Sequence, residues 1–246
     1  PALYFSYDKV PMFKDVRVRQ ALAHVINRAE TAAVSLADSA KDPVSMAGFS
    51  ELQVPDWVAD ADKAKLNKYE HDEAKATALL QQAGWKKSGN QWMLPDGKPA
   101  KFSIMFPSDY ADWAPAGKNV AEQLTKFGIT VTQNGIESKD IGERILKGNF
   151  QLALQGWGAG TPHPYFAFNA DFVDRNYPVA ANQGGRGMSF ELKQNTKVAG
   201  EVDIQKLIQE AGQGLDEAAQ KERISKLALI FNELLPIIPI FELVNR

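Results

Sequence analysis

The segment from residue 102 to residue 154 constrains the fold most, because it switches repeatedly between the apolar spacing of a strand and that of a helix. Three runs alternate apolar and polar residues as half-buried strands do: 102–106, 129–131 and 150–154. Each helical stripe between them is closed by a glycine, Gly128 or Gly148. Strand, helix, strand, helix, strand at these spacings implies parallel strands joined by right-handed crossovers. The sequence therefore predicts an α/β fold.

A second constraint is an amphipathic helix predicted from about Val16. Its apolar positions recur with helical spacing: Val18, Ala21, Leu22, Val25, Ile26 and Ala29. Asp15 precedes it as a capping residue. Arg17 and Arg19 lie in the first turn, where the helix dipole disfavours a cation by about 0.3 to 1 kcal/mol. We expect a carboxylate partner for them elsewhere in the fold, and two solvated arginines are the alternative.

Capping residues and breakers divide the rest of the chain. Four further helices are predicted to open at a capping side chain: Asn27, Asp72, Asp203 and Asp216. Between Ala37 and Asn67 the pattern weakens, and prolines and a glycine punctuate it, so a long surface excursion is predicted there. Residues 2–7 and 237–244 are apolar and are predicted to be extended.

Three blocks of the sequence carry a resemblance to a known family. They are Phe13-x-Asp15-x-Arg17-Val18-Arg19-Gln20-Ala21-Leu22, the helix from His71 that ends in Ala83-Gly84-Trp85, and Pro95-Asp96-Gly97-Lys98-Pro99. In this order the blocks resemble the family 5 extracellular solute-binding proteins, which are the oligopeptide and dipeptide receptors of ABC importers. The resemblance covers nearly the whole chain.

The resemblance implies a periplasmic-binding-protein type II-like lobe with a mixed sheet flanked by helices. Members of the family are about twice this length and bind their ligand between two lobes, so residues 1–246 are expected to form a single lobe, the C-terminal one. The end segments 1–10 and 236–246 are the candidates for strands that cross between the lobes. Half of the ligand cleft would then lie on this chain.

Composition agrees with this class of protein and excludes others. The chain has 28 basic and 30 acidic residues, so nothing favours nucleic acid as a partner. It has no cysteine, which excludes disulfides and thiolate catalysis, and no apolar run long enough to span a membrane. The sequence starts at Pro1 without a charged n-region or an apolar h-region, so any export signal is expected to have been removed or to lie outside it, and export to the periplasm or cell exterior follows from the resemblance only. The resemblance also implies a monomer without a cofactor that docks on the transmembrane permease subunits of an ABC importer.

Two aromatic loops follow predicted strands and are the candidate ligand-binding segments, because clefts in open α/β sheets form beyond the carboxyl ends of the strands. The first loop contributes Tyr110 and Trp113. The second contributes Trp157, Gly158, Gly160, Thr161, His163 and Tyr165. Aromatic and polar groups together can stack on a ligand and fix its orientation. The alternatives are that Trp113 anchors its own loop and that Trp157 belongs to the core.

The second loop departs from the peptide-binding members of the family. In them an Asp a few residues after the matching Gly-Trp holds the α-amino group of the peptide, and that position falls on Gly160 here. A buried ammonium without a counter-charge is costly. Oligosaccharide is therefore a serious competitor to peptide as the ligand, unless Asp171 or Asp174 replaces the missing carboxylate.

Two other function classes remain open. An α/β hydrolase or transferase would need a titratable pair that converges near Trp157, although no G-x-S-x-G elbow is present. An interaction or sensor module would use the same lobe without binding a small molecule. The three histidines are widely spaced and form no metal-ligand motif.

Overall fold

A computed structural model describes residues 1–158, 160–174, 176 and 187–244. Its strands are β1 (Ala2–Phe5), β2 (Ala40–Lys41), β3 (Lys86–Ser88), β4 (Gln91–Met93), β5 (Lys101–Pro107), β6 (Thr130–Ile136), β7 (Leu152–Gln155), β8 (Lys193–Thr196), β9 (Gly200–Asp203), β10 (Ile237–Pro239) and β11 (Glu242–Leu243). Its α-helices are α1 (Val16–Val25), α2 (Arg28–Leu36), α3 (Val54–Trp57), α4 (Asp60–Lys63), α5 (Glu73–Gln82), α6 (Trp113–Phe127), α7 (Ser138–Leu146), α8 (Tyr165–Phe168), α9 (Ile204–Ala211) and α10 (Glu217–Leu234).

The main sheet is mixed and has the strand order β10-β1-β7-β5-β6 in the described part of the chain. Strand β5 pairs in parallel with both β6 and β7, which confirms the parallel strands predicted for the central segment. Strand β1 is antiparallel to both of its neighbours, β7 and β10. The predicted α/β class and the mixed sheet flanked by helices are therefore confirmed.

Helix α6 packs against the sheet through the face that its sequence pattern predicts. Val120 and Leu124 are fully buried. A Cβ atom at Gly117 would lie 2.4 Å from the Phe106 ring of β5, so the close approach of helix and strand depends on this glycine. Gly128 ends the helix with a φ of +107°, a left-handed conformation that favours glycine.

All five predicted helix caps are present. The side chains of Asp15, Asn27, Asp72, Asp203 and Asp216 each accept a backbone N–H bond in the first turn of the helix that follows. The aromatic residues of the family-like blocks are core residues. Phe13 packs between Phe5 of β1 and Phe102 of β5, with ring centroids 4.9 and 5.1 Å away.

The two arginines of the Arg17-x-Arg19 block have different partners, and only one of them is a carboxylate. Arg17 pairs with Asp15 on the surface at 2.7 Å. The prediction of a carboxylate partner is wrong for Arg19, which is 1% exposed and donates to four backbone carbonyls. Two of these carbonyls belong to Phe13 and Lys14, and the other two belong to Leu234 and Leu235 at the end of α10. A cation is favourable at that position because the C-terminal end of a helix carries partial negative charge.

The predicted surface excursion between Ala37 and Asn67 is wrong. This segment contains β2, α3 and α4, and it buries Met46, Phe49 and Val54 in the main core. The Phe49 ring meets the Phe168 ring edge-on at 5.6 Å. Sequence periodicity missed this packing because the elements are only two to four residues long, which is too short for a repeat to show.

The predicted extended segment 237–244 divides into two strands in different sheets. Strand β10 completes the main sheet, whereas β11 turns away and pairs with β2 in a two-stranded ribbon. The N–H of Ile240, between them, donates to the carbonyl of Pro1 at 3.0 Å. Residues 245 and 246 lie outside the described part. No helix in the described ranges is long and apolar enough to cross a bilayer.

Candidate functional site

A cavity of about 380 Å³ opens where β1 begins, β7 ends and the chain passes from β10 into β11. It is lined by Pro1, Ser50, Asp112, Trp113, Gly156, Trp157, Gly158, Gly160, Phe241, Glu242 and Leu243. Both loops that the sequence singles out thus contribute to one cavity, together with the β2–β11 ribbon. This is the position beyond the strand ends where open α/β sheets bind ligands.

The loop after β7 is fixed from several sides. The indole Nε1 of Trp157 donates to the carbonyl of Phe241 at 3.1 Å, and the hydroxyl of Tyr4 donates to the carbonyl of Gly156. The N–H of Gly158 donates to Oδ1 of the buried Asp171 at 2.9 Å. Trp157 is only partly buried against the core and keeps an indole surface on the cavity. Its orientation is therefore set before any ligand arrives.

The second tryptophan comes from the start of α6. Trp113 is the first residue of this helix, and its N–H donates to the side chain of Asp112 at 2.9 Å. The ring of Tyr110 packs edge-on against Trp113 with centroids 5.7 Å apart, while Tyr110 itself is 45% exposed and lies outside the cavity lining. The two indoles, Trp113 and Trp157, give the cavity the aromatic surface that the sequence predicts.

Three of the predicted site residues, Thr161, His163 and Tyr165, are half-buried and lie outside the lining of this cavity. Gln53 of the segment before α3 donates through Nε2 to the carbonyl of Thr161 at 3.1 Å. The ring of His163 lies 4.4 Å from that of Trp57. Thr161 and His163 are absent from the cavity lining and support the loop from below.

Tyr165, the third of them, begins α8 and packs under the end of α9. A Cβ atom at Gly212 would lie 2.7 Å from its ring. The backbone N–H of Tyr165 donates to Nδ1 of His163 at 3.1 Å, so the two side chains belong to one packed cluster. Sequence composition cannot separate these residues from Trp157, because aromatic residues are equally common in cores and in binding sites.

The two aspartates proposed as replacements for a carboxylate at position 160 have partners within the protein. Asp171 is fully buried beneath the loop, where it holds the N–H of Gly158. Asp174 is exposed and accepts a bond from Asn169 at 2.9 Å. Neither lines the cavity, whereas Gly160 does, and a Cβ atom there would meet nothing within 4 Å.

Sequence analysis missed Ser50 and Glu242, which are far apart in the chain but line the same cavity and share a side-chain hydrogen bond. The backbone N–H of Glu51 donates to Glu242 Oε1 at 3.3 Å. Burial raises the pKa of Glu242 above 4.5, the hydrogen bond from Ser50 opposes that shift, and the neighbouring charge of Glu51 adds to it. Among the described residues, the charged side chains that line the cavity are both acidic, Asp112 and Glu242.

Comparison with known proteins places this geometry in a family. The model of bacterial extracellular solute-binding proteins, family 5, middle region, matches residues 2–178. The oligopeptide-binding protein AppA of Bacillus subtilis is 28% identical over 178 residues, which cover 68% of this chain and 31% of AppA.

Solved structures share the fold over nearly the whole chain. The mannohexaose-bound periplasmic oligopeptide-binding protein of Thermotoga maritima superposes with a TM-score of 0.74 at 21% identity, covering 98% of this chain and 43% of that one. Bacillus subtilis AppA in complex with a nonapeptide gives a TM-score of 0.70 at 21% identity, covering 98% and 44%. The chain thus spans less than half the length of these two proteins, and it has the fold of type II periplasmic binding proteins. From the family match over residues 2–178, it belongs to the bacterial extracellular solute-binding proteins of family 5.

Proposed function

We propose that this chain is one lobe of an extracytoplasmic receptor that captures a peptide or an oligosaccharide and delivers it to the permease of an ABC importer. The observation that carries the proposal is the single cavity at the sheet edge into which both Trp113 and Trp157 project surface. Such a receptor closes on its solute by a hinge motion and makes or breaks no bond. It acts in the periplasm or at the cell exterior, as a monomer that docks on the transmembrane subunits.

The length of the relatives and the pairing of β1 with β10 support a two-lobe arrangement. The chain covers 43% of the Thermotoga protein, and strands β1 and β10, which belong to the end segments 1–10 and 236–246, pair with each other next to the cavity. In a two-lobe receptor these segments would connect the lobes, and the second lobe would cover the open side of the cavity. The isolated lobe should then bind solute weakly, because half of the contacts are absent.

Both ligand classes have support. One structural relative is bound to mannohexaose and another to a nonapeptide. The indoles suit a sugar ring as well as a peptide side chain. Gly160 removes the carboxylate that would hold a peptide α-amino group, which keeps oligosaccharide as a full competitor to peptide.

The test is a thermal-shift panel on the full-length two-lobe protein with short peptides and neutral oligosaccharides. A solute at about 100 times its dissociation constant should stabilise the fold by about 2.7 kcal/mol. Trp157→Ala should abolish the shift. The proposal is wrong if no solute of either class shifts the transition, as an interaction module would behave, or if the solute is converted to product, as an α/β hydrolase or transferase would do.

A further inference from the structure

Glu242 stands in a position that is unfavourable for a carboxylate. It lies beside Glu51 in a partly buried site, and its pKa is raised chiefly because burial disfavours the charged form. The carboxylate of Glu51 accepts hydrogen bonds from the backbone N–H of Ser45 at 2.7 Å and from the Ser45 hydroxyl at 2.8 Å. These bonds fix Glu51 in place beside Glu242. An ionised Glu242 therefore opposes folding, and packing alone does not account for it.

The acceptor capacity of Glu242 is only partly used. Its bonds to the N–H of Glu51 are long, at 3.3 and 3.4 Å, and Ser50 supplies one further side-chain bond. An ionised carboxylate offers about four lone-pair sites. Since Glu242 also lines the cavity, acceptor sites remain for a donor that enters from that side.

The surroundings of Glu242 in the cavity favour a donor with positive charge. In the described part of the chain, the other charged side chain of the lining is the carboxylate of Asp112. The two indoles add faces that attract cations. Hydrogen bonds between an ionised acid and a cationic donor are about twice as strong as neutral ones. A cation would also relieve the repulsion between Glu242 and Glu51.

We propose that Glu242 is the specificity-determining acid of the cleft, and that it binds an ammonium or guanidinium group of the solute in place of the carboxylate that position 160 lacks. The inference rests on the proposed function and narrows it to cationic solutes, with a peptide amino terminus as the simplest example. Neutral oligosaccharide then becomes the outcome that opposes it.

One internal partner competes with this assignment. Lys41 is directly opposite Glu242 in the register of the β2–β11 ribbon and is exposed. If the role of Glu242 were to pair with Lys41, then Lys41→Gln and Glu242→Gln would have the same effect on binding. The lysine variant is therefore the matched control.

The experiment measures the affinity of the full-length two-lobe protein, by calorimetry, for penta-alanine with a free amino terminus, acetylated penta-alanine, acetylated penta-alanine with one arginine, and mannohexaose. The wild type should prefer the two cationic peptides to the acetylated one by at least tenfold. Glu242→Gln should erase that preference and leave the thermal midpoint unchanged or raised, whereas Lys41→Gln should keep the preference.

Each other outcome is decisive. Binding of mannohexaose with no preference for cationic peptides overturns the assignment of Glu242 but keeps the receptor. A preference that survives in Glu242→Gln, or that is lost equally in Lys41→Gln, overturns it as well. If no probe binds the wild type, the proposed function and this inference both fail.

Discussion

Replacing Arg19 by methionine should destabilise the fold far more than the same change at Arg17. The Arg19 guanidinium bonds the carbonyls of Phe13 at 2.6 Å and Leu234 at 2.6 and 2.9 Å, with longer bonds of 3.1 Å to Lys14 and Leu235. Methionine keeps the apolar stem but supplies no donor. The carbonyls at the end of α10 would then be buried without partners.

The magnitude follows from the opposing contributions. Each buried carbonyl left without a donor costs about 1 to 3 kcal/mol, and Arg19 serves three carbonyls through buried bonds, those of Phe13, Leu234 and Leu235. Removing the cation recovers part of the free energy spent on desolvating it, since burial of the guanidinium lowers the pKa of Arg19. The net loss should be about 3 to 5 kcal/mol, in the lower part of the roughly 3 to 9 kcal/mol that three unsatisfied carbonyls would cost.

The assay is urea unfolding of this chain followed by tryptophan fluorescence, with the free energy obtained by linear extrapolation. Arg17→Met is the control, because Arg17 is 44% exposed in its ion pair with Asp15 and such pairs contribute at most about 1 kcal/mol. Arg19→Lys should fall between the two, since it keeps the charge but loses the planar fork. Equal and small losses for both methionine variants would refute the reasoning.

Three further predictions concern single positions. Gly128→Ala should lower the free energy of unfolding by at least about 2 kcal/mol, because the added Cβ would lie 2.1 Å from the Asn90 carbonyl oxygen at a φ of +107°. Gly97→Ala is the control, since Gly97 also has a positive φ but lies in open space; it should cost only about 1 kcal/mol, and equal losses would contradict the argument. Burial lowers the pKa of His24 below 6.5, so on acidification the imidazole is protonated in the unfolded chain before it is protonated in the folded one. The free energy of unfolding should therefore be at its full value above pH 6.5 and decrease below it, and His24→Gln should show a smaller decrease in the same pH series. Trp157→Ala should weaken solute affinity at least tenfold and also lower the melting temperature, because it loses the bond to the Phe241 carbonyl. His163→Ala, which loses the packing on Trp57, should lower the melting temperature with little change in affinity.

Much of the scaffold could be predicted from sequence because its signals are local. A capping aspartate and the N–H it accepts are two or three residues apart, as in Asp15 with Arg17 or Asp72 with Lys75. The strand and helix periods between residues 102 and 154 are equally local, and they gave the parallel strands correctly. The position of β1 inside the sheet could not be read from four apolar residues, since its pairing partners are far away in the chain.

The site was only partly predictable for the same reason. Trp113 and Trp157 each follow a recognisable strand signal, so their neighbourhood could be expected. Glu242 reaches the cavity on a ribbon of two-residue strands and Ser50 in the segment between β2 and α3, and neither leaves a period in the sequence. For Arg19 the residue itself stands out in the sequence, because a cation is unfavourable in the first turn of a helix, but its partners do not. They are backbone carbonyls at the end of α10, which no pattern of side chains reveals.

The place of β1 between β7 and β10 has a consequence for how the chain matures during synthesis. Leu3 pairs with Leu154 on one side and Ile238 on the other, so its first partner is translated about 150 residues later and its second after nearly the whole chain. All four residues of β1 are fully buried in the finished sheet. Until β10 emerges, the edge of β1 that faces it is unpaired, and an unpaired apolar edge is where wrong strand pairing and aggregation begin.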